Sequence, residues 1–185
     1  MKHYDWTVGF EQLYRKATEL YGKGTRGAEN YFTADETREL AAIGCTPQEL
    51  YDYVEDAVNG GEPDYGTALT VAAARRDYFL YAQKGKPSGK ELSSATLLAK
   101  TAAADGIEWL PRIIEKARRK LRGEMDKDLM FGCGGDRAFC KKFDIAPADF
   151  LRYVWAAKED DRKIIEWVKS KDAEQSVGEG DACTL

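Results

Sequence analysis

Histidine is almost missing from this sequence, since its 185 residues include a single one, His3. That residue lies beside the amino terminus, where chains are usually poorly ordered. The scarcity removes the usual general base of enzymes, the serine and cysteine nucleophile systems that need a histidine, and di-iron helices with Glu-x-x-His motifs. The composition therefore predicts no histidine-based chemistry.

Long apolar runs are missing as well. No stretch approaches the roughly 20 residues of a membrane-spanning helix, and the opening MKHYDWTVGFEQLY lacks the charged-then-apolar order of a signal peptide. The four cysteines are therefore expected to be thiols rather than a disulfide framework. The net charge of −4 provides no general attraction to nucleic acid or to an anionic membrane. We expect a cytoplasmic, bacterial-type protein with no membrane partner.

Helical patterns run through most of the chain, and no stretch shows the alternation of a strand. Thr33 with Glu36, and Thr46 with Glu49, form capping boxes that predict helix starts. A longer helix is predicted over 64–83, followed by an exposed, glycine-rich and lysine-rich linker over 84–106. The small, polar and acidic residues 171–185 predict a disordered tail. The fold class is therefore predicted as all-α.

An internal repeat organises the helices. Residues 110–158 align without a gap on residues 10–58, an offset of 100 positions. Identical residues are few, but the apolar classes agree at many positions. The identical pairs are Lys16/Lys116, Ala17/Ala117, Pro47/Pro147, Tyr53/Tyr153, Val54/Val154 and Ala57/Ala157. The alignment predicts a tandem duplication, with helical repeats of about four helices each over 1–83 and 107–170, packed together.

The second repeat also carries a recognisable order of segments. LPRIIEKARRKLRGEM is followed by a glycine-bearing loop with Asp136 and Arg137, then by FDIAPADFLRYV and DDRKIIEWVKS. In this order, residues 107–170 resemble a family of small bacterial helical domains, the domain of unknown function 5069. The resemblance implies a helical fold and domain limits. It implies no reaction, cofactor or catalytic residue.

The most suggestive polar group surrounds Arg76, which falls inside the predicted apolar stripe of the helix over 64–83. A buried guanidinium needs carboxylates or carbonyls, because an unpaired buried charge costs several kcal/mol. The structural interpretation is an ion pair of Arg76 with Glu62 or Asp64. The functional interpretation is a pocket between the repeats that binds a small anion. Its candidate ligand-binding residues are Arg76, Asp64, Glu62, Asp136 and Arg137, with no cofactor and no metal.

Three other patterns have ordinary explanations. Cys133 and Cys140 are spaced too widely for a usual zinc pair, so we interpret Cys140 as a core residue and Cys133 as a loop residue. The carboxylates at 49, 52 and 56 are expected on a solvated helix face. The cations over 112–122 are expected on a solvated face, or on a surface that docks the acidic first repeat.

The leading hypothesis is a non-catalytic binding or protein-interaction module, and its more specific form binds a small anionic ligand between the repeats. The alternative is an enzyme without histidine chemistry that uses the arginine and aspartate cluster. The third hypothesis is nucleic-acid binding by the basic helix over 112–122, which the acidic composition disfavours.

Overall fold

The computed structural model describes the backbone of residues 3–178 and the side chains of residues 3–171. This part of the chain is mostly helical, with one two-stranded sheet of two residues per strand, so the fold is all-α as predicted. The first half of the molecule contains α1 (Trp6–Gly22), α2 (Ala34–Ala42), α3 (Pro47–Gly60) and α4 (Tyr65–Asp77). The second half contains α5 (Leu110–Arg122), α6 (Gly134–Lys142), α7 (Pro147–Ala157) and α8 (Asp161–Gly178).

Helices of the first half begin where the capping patterns predict. Thr33 and Thr46 each accept a hydrogen bond from the backbone N–H three residues later. In return, Glu36 and Glu49 each accept one from the backbone N–H of the threonine. Asp64 caps α4 in the same way, at 2.7 Å from the third backbone nitrogen of the helix. A cap of this kind contributes about 1 kcal/mol to stability.

The helix bounds of the two halves correspond at the offset found in the sequence. α2 covers residues 34–42 and α6 covers residues 134–142. α1 and α5 end at residues 22 and 122, and α3 and α7 begin at Pro47 and Pro147. The fourth helices do not correspond in this way, because α4 begins at Tyr65 and α8 at Asp161.

One apolar core runs through both halves. α4 packs against α1 of its own half and against α5 and α7 of the second half. Its alanines Ala68, Ala72 and Ala74 are buried, and such small side chains allow neighbouring helices to approach closely. The two halves therefore share a core instead of meeting only through polar surfaces.

The segment between the halves is hydrogen-bonded to the second half. After α4, a π-helical turn (Tyr78–Ala82) completes the helix predicted over 64–83. Within the predicted linker, β1 (Ala103–Ala104) pairs antiparallel with β2 (Ile107–Glu108). Although the linker is mostly exposed, Arg119 of α5 donates hydrogen bonds to the Ser93 carbonyl at 3.0 Å and to the Thr96 hydroxyl at 3.1 Å.

The carboxyl-terminal helix continues beyond residue 170. α8 reaches Gly178 and so overlaps the first part of the tail predicted over 171–185, while residues 179–185 lie outside the described residues. None of the helices described between residues 3 and 178 is long and apolar enough to cross a membrane.

Candidate functional site in a cleft between the halves

Arg76 does not lie at a site between the halves. Its guanidinium lies 5.2 Å from the Trp6 ring, and its Nη1 is 3.5 Å from a carboxylate oxygen of Asp77. The predicted ion pair with Glu62 or Asp64 is therefore wrong. The physical reason is that α4 packs against three helices, so its buried surface is wider than one stripe. Its many alanines also give little contrast between faces.

The neighbouring Arg75 is the buried arginine of α4, with only 2% of its surface exposed. Its Nη1 donates to the Leu121 carbonyl at 2.9 Å and to the Gln83 side chain at 2.8 Å, which joins α4 to the end of α5. Burial lowers the pKa of Arg75, although the charge of Glu49 opposes that shift. Gly123 permits this contact, because a Cβ there would lie 2.5 Å from the guanidinium. Arg75 therefore has a structural role.

Three of the predicted site residues do come together in a groove of about 540 Å³ between the halves. Glu62 and Asp64 line it from the first half, and Arg137 lines it from the second half. Arg137 already donates to Asp56 at 2.8 Å, and Glu62 accepts a hydrogen bond from Lys141 that lowers the pKa of its carboxyl. Because its cations are paired with carboxylates, this groove offers little to an anion.

Asp136, the fifth predicted site residue, is fully buried in the second half. It lies in the first turn of α6, which begins at Gly134. It pairs with Lys116 and accepts hydrogen bonds from the Trp109 indole N–H and the Gly132 backbone N–H, both at 2.9 Å. It is not brought together with Arg76.

The residues paired with Asp136 form the floor of a larger cleft of about 620 Å³. One wall is the acidic face of α3, and the other is formed by the start of α5 and the loop before α6. The side chains that line it include Asp52, Glu55, Lys100, Trp109, Arg112, Lys116 and Cys133. The cleft therefore lies between the two halves, but none of these residues was among the predicted site residues.

The floor of the cleft contains a buried lysine in contact with a thiol. Lys116 is 2% exposed, and its Nζ lies 3.2 Å from the Cys133 sulfur while it pairs with Asp136. Trp109, which is hydrogen-bonded to the same aspartate, has a left-handed backbone with φ of 70°. A bulky residue rarely adopts this conformation, and such outliers occur often at functional sites. Gly135 leaves room for the indole, since a Cβ there would lie 2.4 Å from the ring.

Two cations of the cleft have no carboxylate partner among the described residues, Lys100 and Arg112. Arg112 donates to the Leu98 carbonyl and lies 5.6 Å from the Trp109 ring, and its Nε is buried without a hydrogen-bond partner. By contrast, Lys116 pairs with Asp136. Positive charge is therefore available to a ligand at this wall of the cleft.

The opposite wall is acidic and partly shielded from water. Asp52 accepts a hydrogen bond from Gln48 at 2.6 Å, and burial raises the pKa of its carboxyl to about 7. Glu55 accepts hydrogen bonds from the hydroxyl groups of Tyr21 and Tyr51. The acids of α3 were expected on a solvated face, and that expectation is wrong. The face instead packs toward the second half.

Below the cleft, the same helix face contributes a buried ion pair across the halves. Lys120 is 2% exposed, and its Nζ lies 2.8 Å from a carboxylate oxygen of Glu49 and 5.5 Å from the Tyr53 ring. Burial alone would lower the pKa of Lys120, but the charge of Glu49 raises it above the ordinary value. This pair joins α3 to α5.

The basic helix α5 does not present a cationic face to solvent. Lys116, Arg119 and Lys120 are buried. Arg118 pairs with Asp161, and Arg122 pairs with Glu159. Because these cations are neutralised within the protein, the geometry gives the nucleic-acid hypothesis no support. The expectation that α5 docks against the acidic first half is met by Lys120.

The described cysteines are free thiols in different surroundings. Cys140 is a buried core residue, as expected, and so is Cys45. Cys133 is only partly buried and occupies the N-cap of α6. Within the part of the chain that the structure describes, no group of three or more histidine, cysteine, aspartate or glutamate side chains could hold a metal ion.

An all-α protein with a charged cleft between two helical halves is what the geometry defines. Comparison with protein families adds that residues 96–182 match the model of a domain of unknown function, DUF5069. This match confirms the resemblance seen in the second half and extends it into the connecting segment. Neither the curated proteins nor the solved structures contain a match to the chain.

Proposed function

We propose that the protein is a binding module whose cleft between the halves takes a small ligand with a carboxylate or phosphate group. The observation that carries this proposal is the pair of cations Lys100 and Arg112, which line the cleft without a carboxylate partner among the described residues. The buried and unpartnered Nε of Arg112 is a donor that an anionic oxygen can satisfy.

The acidic wall limits which functional groups the ligand can carry. Asp52 retains part of its proton near neutral pH, so its carboxyl can donate a hydrogen bond as well as accept one. Glu55 remains an acceptor on the same wall. A ligand with an anionic group at one end and polar hydrogen-bonding groups at the other matches both walls.

Calorimetry with inorganic phosphate and malonate as anionic probes, and with malonamide as the neutral probe, tests the proposal. We expect the anions to bind and malonamide not to bind. Arg112→Gln should weaken anion binding about 10-fold to 100-fold, because a hydrogen bond to a charged group contributes about 1.5–3 kcal/mol. Arg162→Gln is the matched control, since Arg162 is exposed and pairs with Glu166 outside the cleft. Equal weakening by both variants, or no binding at millimolar concentrations of probe, would contradict the proposal.

We also propose that the chain contains a tandem duplication, with repeats over 1–83 and 107–170 joined by the segment 84–106. The matching helix bounds support it, and so does a matching ion pair: Lys16 with Glu36 at 2.6 Å, and Lys116 with Asp136. In an experimental structure, residues 10–58 should superpose on residues 110–158 at the offset of 100 positions. A different register of the two segments would count against the duplication.

We also propose that the protein is bacterial and cytoplasmic. Its support is that Cys45, Cys133 and Cys140 are unpaired thiols, which are typical of a reducing compartment. Fractionation of cells that express the tagged full chain tests the location, and recovery from the periplasm or the medium would argue against it.

A further inference from the structure

A lysine, an aspartate and a cysteine form a connected group at the floor of the cleft. Asp136 holds Lys116, and the Lys116 ammonium lies 3.2 Å from the Cys133 sulfur. We propose that Cys133 is a nucleophilic thiol that forms a covalent adduct with a small electrophile in the cleft, with Lys116 stabilising the thiolate and Asp136 positioning Lys116. The arrangement is that of a nucleophile, a charged neighbour and a third group that orients the neighbour.

The first half contains the same positions without the thiol. Thr33 caps α2 where Cys133 begins α6, and the hydroxyl of Thr33 accepts a backbone hydrogen bond that the cysteine does not make. The Lys16–Glu36 pair is partly exposed, with 37% and 25% of the two side chains accessible, whereas Lys116 and Asp136 are 2% and 1% accessible. A buried ammonium acts on its neighbours with less screening by water. The second half therefore combines a stronger local field with a nucleophilic atom.

Asp136 accepts from three donors, which fixes the geometry of the group. Its carboxylate accepts from Trp109, from the Gly132 backbone and from Lys116. Three donors from different segments fix the position of this carboxylate, and the carboxylate in turn holds the Lys116 side chain beside Cys133. The thiolate is the reactive form of a cysteine, and a cation at hydrogen-bond distance favours that form.

Cys133 differs from the other described thiols in being accessible to small molecules. Cys133 lines the open cleft. Cys45 and Cys140 are buried, and burial raises the pKa of each thiol to about 12. Alkylation should therefore be selective for Cys133 in the folded protein.

The covalent step is a substitution. With iodoacetamide as the electrophile, the sulfur–carbon bond forms as the carbon–iodine bond breaks, iodide leaves, and the proton of the thiol passes to solvent. No oxidant or reductant is required. The nucleophilicity of Cys133 does not depend on the proposed anion site, whereas a preference for anionic electrophiles rests on that proposed function.

The experiment measures alkylation rates at pH 7 by intact mass and peptide mapping. The full-length protein carries Cys183→Ser, because this fourth cysteine lies outside the described residues and would add a second site of labelling. We expect one adduct, on Cys133, formed at least about tenfold faster than on a synthetic peptide of residues 130–137. A rate equal to that of the peptide would overturn the proposal, as would preferential labelling of Cys45 or Cys140. This comparison needs no destabilising substitution.

Two paired variants test the role of the lysine. Lys116→Met with Asp136→Asn removes the buried pair without leaving one charge alone, and should slow alkylation at least about tenfold. Lys120→Met with Glu49→Gln is the matched control, because it removes a buried pair one turn away on α5, and it should keep the rate. An unchanged rate in the first variant would overturn the role of Lys116.

Iodoacetate, an anionic electrophile, tests the nucleophilic thiol and the proposed anion site separately. The ratio of iodoacetate to iodoacetamide rates should fall in Arg112→Gln if the cleft attracts anions. An unchanged ratio with fast iodoacetamide labelling would remove the anion site and leave the nucleophile intact.

Discussion

The buried pair of Lys120 and Glu49 gives a strong test of how the halves are held together. Removing one partner of a buried pair leaves the other charge without compensation, which costs about 3–5 kcal/mol. The Glu49 side chain retains 16% exposure and can be partly rehydrated, so we expect Lys120→Met to cost about 3 kcal/mol, at the lower end of that range. For a protein of this size, about 2–4 °C of melting temperature per kcal/mol gives a loss of about 6–12 °C.

The second partner should behave in the same way. Glu49→Gln leaves the Lys120 ammonium unpaired at 2% exposure, while glutamine can still complete the capping box at the start of α3. The double variant leaves no unpaired charge, so we expect it to lie within about 1 kcal/mol of the wild type. Because the folded pKa of Lys120 is raised, the stabilisation is fully present at pH 7. It is lost only as the pH rises above the ordinary pKa of lysine, toward the folded value.

Urea unfolding of the wild type, both single variants and the double variant at pH 7 measures the coupling. The reasoning predicts that the double variant is more stable than either single variant. If the two single losses simply add, the pair has no coupling energy and the account of the interface is wrong.

Three further outcomes follow from individual contacts. Asp52→Asn should stabilise the protein above pH 7 and have little effect near pH 4. Because the pKa of Asp52 is raised in the folded protein, ionisation of this carboxyl between those pH values opposes folding. Urea unfolding at both pH values checks the sign. Cys133→Ser should raise stability by about 1 kcal/mol, because a hydroxyl at the N-cap of α6 can accept from the backbone N–H of Asp136, and thermal unfolding measures it. Gly135→Ala should destabilise by about 1–3 kcal/mol, because its Cβ would overlap the Trp109 ring, and the shift in indole fluorescence should accompany the loss.

Much of the fold follows from local patterns in the sequence. The capping boxes at Thr33 and Thr46 locate the starts of α2 and α3 because a cap hydroxyl satisfies a backbone donor that the helix leaves free. The offset alignment then locates α6 and α7. Because capping depends on residues within one helical turn, these helix starts can be predicted without knowledge of the tertiary packing.

The choice between Arg75 and Arg76 could not be made in this way. A helix packed on one side shows a single apolar stripe, but α4 contacts helices of both halves and fills the contacts with alanine. Adjacent arginines at its end then look equivalent. Only the neighbouring backbone, with Gly123 and the Leu121 carbonyl beside Arg75, determines which one is buried.

The candidate site was missed for a related reason. Glu49, Asp52 and Asp56 are polar, and a polar face that meets solvent has the same sequence pattern as one that meets a complementary polar face. Lys116 and Lys120, four residues apart on α5, lie on the complementary face and are buried. Periodicity measures contrast within one helix, so it cannot detect a partner of matching charge on another helix.

The lysines of α5 and the aligned Lys16 have different partners and different surroundings. Lys120 pairs with a carboxylate of the other half and so joins α3 to α5. Lys116 pairs within its own half, which leaves its remaining hydrogen-bonding capacity directed at Cys133 and the cleft. The corresponding Lys16 pairs with Glu36 at a more exposed position beside a threonine cap. A shared lysine position thus supports helix packing in one half, and in the other it lies beside a thiol in an open cleft, where its charge can affect chemistry.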